Sequence, residues 1–357
     1  MIHCTVPFVR AFVLPDGSFR DCCATTPFTI ERDKSFVQWW TQDDRLNAFR
    51  EQLQTGEWPE ACASCRIQEQ NSGESFRTAM NKANPVVTRT HPREWSISFG
   101  NVCNLACWTC TEDFSSTIEA HKRKLNILPE GWTSPNEQFA QRWPDLHDQI
   151  LASYDHHPTV TLSLLGGEPT YNPIVVNFLL GLVDAGLSRR TRLEITTNGT
   201  KSNARLMQVL DRSNWKHICV FVSIDAVGEK AEWLRYGCSW ADVDANTRQY
   251  ATSAHWTQIH TTVSMLNIDD LPAVHDYAQE LGVKHVIMPL AQPSYMSLEA
   301  FDGHWVSPHL EQYGQRGLLG YVGLVGTRRQ PGAAQQLKDY VNKFSNRKPF
   351  DKLSILR

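Results

Sequence analysis

The sequence predicts an α/β protein in which a parallel sheet, carried by repeated strand and helix units, follows a small cysteine-rich N-terminal domain. Two observations predict it. From Trp95 onward, short apolar runs recur between segments of helix length, the pattern that builds parallel sheets. Before that point, residues 1–88 hold five of the ten cysteines of this 357-residue chain and read as a loop-rich domain built around them.

Taken in order, Phe8 to Leu14 is a strand-like run closed by a turn at Pro15-Asp16-Gly17, residue types that set up tight turns. Six strand candidates then follow: Trp95 to Phe99, Thr159 to Leu165, Arg192 to Thr196, Ile218 to Ile224, His260 to Met265 and His285 to Leu290. Helical candidates between them include Ile174 to Ala185, Asn203 to Asp211 and Leu271 to Leu281. Past Leu290 the periodicity fades. The expected divisions are therefore 1–88, 89–300 and a C-terminal extension, 301–357. Its tail is basic, with Arg328, Arg329, Lys338, Lys343, Arg347, Lys348, Lys352 and Arg357 against Asp339 and Asp351.

Composition narrows the class. Net charge is -3 and the isoelectric point about 6.5, so the whole chain has no general pull toward nucleic acid or acidic membranes. No apolar run approaches the ~18 residues of a membrane span, and Met1-Ile-His-Cys4 lacks the start of a signal peptide. A cytoplasmic protein is expected. Disulfides are disfavoured there, so clustered cysteines read first as metal or cluster ligands.

The most informative cluster is Cys103-Asn-Leu-Ala-Cys107-Trp-Thr-Cys110, three thiols within eight residues and no fourth. A structural zinc takes four ligands in a closed tetrahedron, whereas a cubic iron-sulfur cluster held by three cysteines keeps one iron open. Cys-x3-Cys-x2-Cys resembles the signature of the radical S-adenosylmethionine (SAM) family. Leu162-Ser-Leu-Leu-Gly166-Gly167-Glu168-Pro169 is similar to that family's Gly-Gly-Glu motif. Ile195-Thr-Thr197-Asn198-Gly199 and Val220-Phe-Val-Ser223-Ile-Asp225 resemble its next two strand ends, in the same order.

The resemblance implies a partial (βα)6 barrel with its ligands at the C-terminal strand ends, where α/β folds bind them. It implies that Cys103, Cys107 and Cys110 bind three irons of a 4Fe-4S cluster and that SAM chelates the fourth. Gly166 and Gly167 would let backbone approach a ligand closely, and Glu168 would accept a hydrogen bond from the SAM ammonium; the competing reading is an ordinary turn with a surface carboxylate. Thr197, Asn198, Ser223 and Asp225 would bond the ribose or the carboxylate. Arg235 would pair with the carboxylate or stand as a solvated helix residue. Relatives usually carry an aromatic residue just before the last cysteine; this chain has Thr109 there and Trp108 one place earlier. Cys219 reads as a small core residue and Cys238 as a buried thiol or a hydrogen-atom donor. His156, His157, Tyr295 and Trp305 read as loop or core residues.

A second set, Cys4, Cys22, Cys62 and Cys65, is spaced as Cys4-x12-Gly17-x4-Cys22 and Cys62-x2-Cys65. It resembles the twitch domain, a shortened SPASM module that holds one auxiliary 4Fe-4S cluster, here preceding the barrel where relatives have it following. A four-cysteine zinc site is the competing reading, and Cys23 could stand in for Cys22.

What the family resemblance implies in chemistry is one-electron cleavage of SAM to methionine and a 5'-deoxyadenosyl radical, which removes a hydrogen atom from an unactivated carbon. The cofactor carries that chemistry while the protein orients and shields it. A low-potential donor, flavodoxin or ferredoxin, would supply the electron. SPASM and twitch enzymes commonly modify peptide or protein side chains. The twitch-first order instead resembles virus-encoded stand-alone members associated with hypermodified thymine in viral DNA, where the reaction would be an isomerisation and the protein would work in the host cytoplasm. An iron-sulfur electron carrier without catalysis is the third reading.

Overall fold

The computed structural model describes residues 4–25, 29–84, 90–201, 204–300, 310–318, 328 and 330–343. Its strands are β1 (Arg10–Val13), β2 (Phe19–Arg20), β3 (Ile30–Glu31), β4 (Glu94–Ser98), β5 (Ala106–Cys107), β6 (Val160–Leu165), β7 (Thr191–Thr197), β8 (His217–Ser223), β9 (Arg235–Tyr236), β10 (Trp256–Val263) and β11 (Lys284–Pro289). The chain divides into two compact units. The first comprises Met1–Cys103, Glu112–Ile195 and Val209–Ile218; the second comprises Asn104–Thr111, Thr196–Gln208 and Cys219–Arg357.

In the first unit the strands lie in the order β7-β6-β4-β1-β2-β3. β4 pairs in parallel with β6, and β6 with β7. The N-terminal region extends this sheet, because β1 pairs in parallel with β4, Arg10 opposite Glu94 and Val13 opposite Ile97. The division expected near residue 88 is thus bridged by strand pairing. Only Arg10–Val13 of the predicted strand is extended, and Val6–Val9 is helical with Pro7 in its first turn. Proline's fixed φ favours that position over the strand that alternation suggested. The turn forms as predicted: Leu14 N donates to Ser18 O at 2.9 Å, with Gly17 at φ +78°. Helices Asp44–Thr55, Ala63–Ser72 and Phe76–Ala83 fill what the sequence presented as loops.

Alternation along these strands separates two chemistries. Ala11, Val13, Trp95, Ile97, Leu162, Leu164, Leu193 and Ile195 share one face and are buried. Arg10, Glu94, Ser96, Ser163 and Glu194 share the other. That polar face is internally satisfied, since Arg10 Nε donates to Glu94 Oε2 at 2.8 Å and the Ser163 hydroxyl donates to Glu194. Phe19, Phe36, Trp39, Trp40 and Trp95 pack ring on ring beneath the apolar face, each large buried side chain contributing about 2–3 kcal/mol.

In the second unit β8 and β11 flank β10, all parallel. Val220 and Val222 are buried, whereas Cys219, on the alternate face, is half-buried. The period of two therefore corrects its reading as a core residue. Past β11, helix Ala333–Lys343 sets Ala333, Leu337 and Val341 into the core with Tyr313 and Leu318. The spacing i, i+4, i+8 makes one helical stripe, which the sequence reading missed in the C-terminal extension. Arg329, Arg347, Lys348, Lys352 and Arg357 lie outside the described residues, as does Trp305. No helix among the described residues is long and apolar enough to cross a membrane.

Candidate active site

The loop after β4 carries the three clustered cysteines, all half-buried. Its base is braced in the first unit by Asn101, which is fully buried. The Asn101 side-chain amide donates to Glu112 O at 2.7 Å and to Glu119 Oε2 at 2.8 Å, and Asn101 O accepts from Ser116 N at 2.6 Å. One side chain thus ties residues on both sides of the cysteine loop. Cys103 itself is stapled to the start of helix Ser116–Lys124: its N–H donates to Ser116 Oγ at 3.1 Å and its carbonyl accepts from Thr117 Oγ1 at 2.7 Å.

The turn Gly166-Gly167-Glu168 docks against the same loop. Glu168 N donates to Val102 O at 2.7 Å. A Cβ on Gly167 would stand 2.5 Å from that carbonyl, and one on Gly166 would stand 2.4 Å from the Ser98 Cβ, with φ at +52° and +68° respectively. The close approach that these glycines permit here is to the backbone before Cys103. Glu168 is buried, and its Oε1 accepts from Thr170 N at 3.0 Å and Thr170 Oγ1 at 2.6 Å. Gly167→Ala is expected to lose about 2 kcal/mol or more, because left-handed backbone strain adds to a collision with main chain. Urea unfolding measures that loss, and an unchanged midpoint would mean that the loop yields freely.

In the second unit Cys107 lies in β5, paired with β9 so that Arg235 stands opposite it. Cys110 N donates to Cys107 O at 3.2 Å, and Trp108 N to Leu234 O at 3.0 Å. Trp108 is buried in this unit's core against Trp233, with its indole N–H donating to Trp233 O at 3.0 Å. Trp108 therefore anchors the loop, and the aromatic shifted by one place from the family pattern serves packing.

Arg235 Nη1 donates to Asp225 Oδ2 at 2.7 Å, with side-chain exposures of 15% and 7%. Burial alone would lower the Arg235 pKa, but Cys107 and Asp225 as anions hold it above the ordinary value. Asp225 Oδ1 also accepts from Thr262 N at 2.9 Å. Asn198 Oδ1 accepts from Thr200 Oγ1 at 2.6 Å while its amide donates to Asn104 Oδ1 at 3.0 Å, linking the β7 end to the cysteine loop. Thr197 Oγ1 accepts from Gly199 N at 3.1 Å. Ser223, at the end of β8, is half-buried. The Cys238 thiol is half-buried, and burial pushes its pKa up to about 11.

The donor set fits a cluster chemically, because thiolates are the ligands that iron-sulfur centres take. Among the described residues, no three His, Cys, Asp or Glu side chains gather around a position for one metal ion. A cubic cluster binds each thiolate to a different iron and spaces its ligands more widely.

The second cysteine set converges within the first unit. Cys4, Cys22, Cys62 and Cys65 line one small cavity of about 20 Å³, whose wall includes Phe49, Trp58 and Arg77. Cys23 is exposed and does not line it, so Cys22 is the member of that pair facing the cavity. Burial, and then the other three thiols, push Cys4 up to about 12; burial likewise takes Cys62 to about 12. The helix bearing Cys65 is held by Glu69, which accepts from Arg77 Nε at 2.9 Å and from Ser75 Oγ at 2.5 Å. His156 stacks on His91 at 4.2 Å and His157 bonds His91 O at 2.9 Å, both structural contacts. Tyr295 packs against the second unit's core.

The family profile described as the Radical SAM superfamily matches residues 97–288. No curated protein matches the sequence. Among solved structures, Streptococcus suis SuiB bound to S-adenosylmethionine is similar over 86% of this chain and 60% of its own, at 14% identity and TM-score 0.43. For anSMEcpe with bound AdoMet and Cp18Cys peptide the coverages are 68% and 63%, the identity 16% and the TM-score 0.40. For TYW1 with a lysine-pyruvate adduct bound they are 72% and 85%, 14% and 0.37. The chain thus spans 60% of the length of SuiB.

Proposed function

Because the chain belongs to the Radical SAM superfamily, we propose that it cleaves SAM reductively and uses the 5'-deoxyadenosyl radical to take a hydrogen atom from a macromolecule, modifying a peptide or protein side chain. The observation that carries this reading is the loop Cys103–Cys110, with three half-buried thiols and its base tied by Asn101. Cys103, Cys107 and Cys110 would hold a 4Fe-4S cluster. Gly166 and Gly167 seat their turn on the loop, and Glu168 would present its carboxylate to the SAM ammonium, fixed in orientation by Thr170. Thr197, Asn198, Ser223 and Asp225 would orient the rest of SAM. Arg235 would bring positive charge to the same end of the second unit. The electron donor in this reading is a flavodoxin or ferredoxin.

Cys4, Cys22, Cys62 and Cys65 would hold an auxiliary 4Fe-4S cluster, and their shared cavity supports that reading. With all four ligands from protein, such a cluster would relay electrons. Cys62→Ala should therefore leave SAM cleavage partly intact while halting turnover of the macromolecular substrate. Deoxyadenosine and product are quantified separately, and full turnover in the variant would remove the relay role.

A second reading is an isomerase acting on an amino-acid-modified thymine in viral DNA, favoured by the position of the four-cysteine region ahead of the barrel strands. The deciding experiment is iron and sulfide analysis with electron paramagnetic resonance on anaerobically reconstituted protein, followed by deoxyadenosine assays with candidate substrates. Two clusters and SAM cleavage support the proposal. Zinc in place of the second cluster makes the four-cysteine site structural, and no cleavage removes the enzyme assignment.

A further inference from the structure

At the edge of the first unit where β4, β6 and β7 begin, a cleft of about 440 Å³ opens, with Arg93, Arg192, Lys216, His157, Thr159 and Glu94 among its walls. β4 leads from this edge toward Cys103, so the cleft marks the start of the strand whose other end carries the cysteine loop. Its charges are unbalanced. Glu94, the carboxylate on the wall, already accepts from Arg10 Nε at 2.8 Å and Asn84 Nδ2 at 3.0 Å. Lys216 Nζ donates to the neutral Thr159 Oγ1 at 2.8 Å. Arg93 and Arg192 have no side-chain hydrogen-bond or ion-pair partner among the described residues. The imidazole of His157 is bonded to His91 O at 2.9 Å.

Three cations therefore face one cleft, with their nearest carboxylate engaged elsewhere, on a chain whose net charge is -3. Guanidinium forks match the oxygens of phosphate bidentately, and a lysine ammonium adds a point charge. From this juxtaposition we propose that the cleft binds phosphate groups, those of a nucleic-acid backbone or of a small phosphorylated molecule. Thr159, which accepts from Lys216, lines the same cleft. The site needs neither cluster nor SAM, so it stands or fails independently of the radical chemistry.

The test is binding to the full-length, anaerobically reconstituted protein by two probes, a short fluorescent DNA duplex and inorganic pyrophosphate, across a range of salt. Arg93→Gln/Arg192→Gln should weaken whichever probe binds by about tenfold or more at low salt, and for DNA should lower the slope of log affinity against log salt by about 2. Lys124→Gln/Arg205→Gln, which removes two exposed cations from helix faces elsewhere, should leave affinity near that of the parent. DNA binding alone identifies the backbone as the source; pyrophosphate binding alone identifies a small phosphorylated ligand. Lys216→Gln, whose partner is a neutral hydroxyl, provides an independent variant if the double arginine variant melts abnormally. No binding of either probe, or parent-like affinity in the arginine variant and in Lys216→Gln, overturns the proposal.

Discussion

Cys103→Ala protein, reconstituted anaerobically and supplied with dithionite and SAM, is expected to form no 5'-deoxyadenosine above background. The reasoning is stoichiometric. Three thiols serve three irons, and neither Cys219 nor Cys238 is placed as a spare on the loop: Cys219 lies within β8, and the Cys238 thiol is bonded at 3.6 Å to Ala231 O. The loss would come from the missing thiolate alone, because Ser116 and Thr117 bond the Cys103 main chain, which alanine retains. Cys107→Ala and Cys110→Ala should fall to the same level, whereas Cys219→Ser should keep parent activity. The measurement is deoxyadenosine by chromatography beside the iron content of each variant. Parent-like cleavage in Cys103→Ala would take the radical site away from this loop.

Arg235→Leu is expected to cost about 3–5 kcal/mol of stability, the magnitude found when one member of a buried ion pair is removed. The pair at 2.7 Å is nearly closed to water on both sides, so the variant leaves the Asp225 carboxylate with the Thr262 amide and no cation. Arg235→Leu/Asp225→Leu should recover part of the loss, since neither charge is then stranded. Denaturant unfolding of the three proteins gives the coupling directly. A single variant as stable as the parent would mean that Arg235 is held in reserve for an external anion. Its partner in the structure is Asp225, so SAM would meet an arginine already engaged.

The strands were largely legible. All six predicted barrel strands form within a few residues of their expected limits, because apolar runs between helix-length segments are a local signal. The errors are local as well. The helical turn opened by Pro7 takes in Phe8 and Val9, the first two residues of Phe8 to Leu14, and the helix at Ala333–Lys343 escaped notice because its buried stripe is three residues set among polar ones. Asn101 was not anticipated as a brace. Its place two residues before Cys103 was the available signal, but an asparagine at a strand end looks like any turn residue until its bonds to Glu112, Glu119, Ser116 and Asn136 are known.

By itself the sequence determined the eight-residue spacing of Cys103, Cys107 and Cys110 and the glycines of the following strand end, since covalent spacing and backbone conformation act over a few residues. The tertiary structure alone decided that Cys4 and Cys22 share a cavity with Cys62 and Cys65 while Cys23 turns outward. It alone decided that β1 joins β4, that Arg235 meets Asp225, and that Arg93, Arg192 and Lys216 face one cleft. These are long-range pairings. Strand register and burial select them through the packing of the whole unit, and no short stretch of residues encodes either.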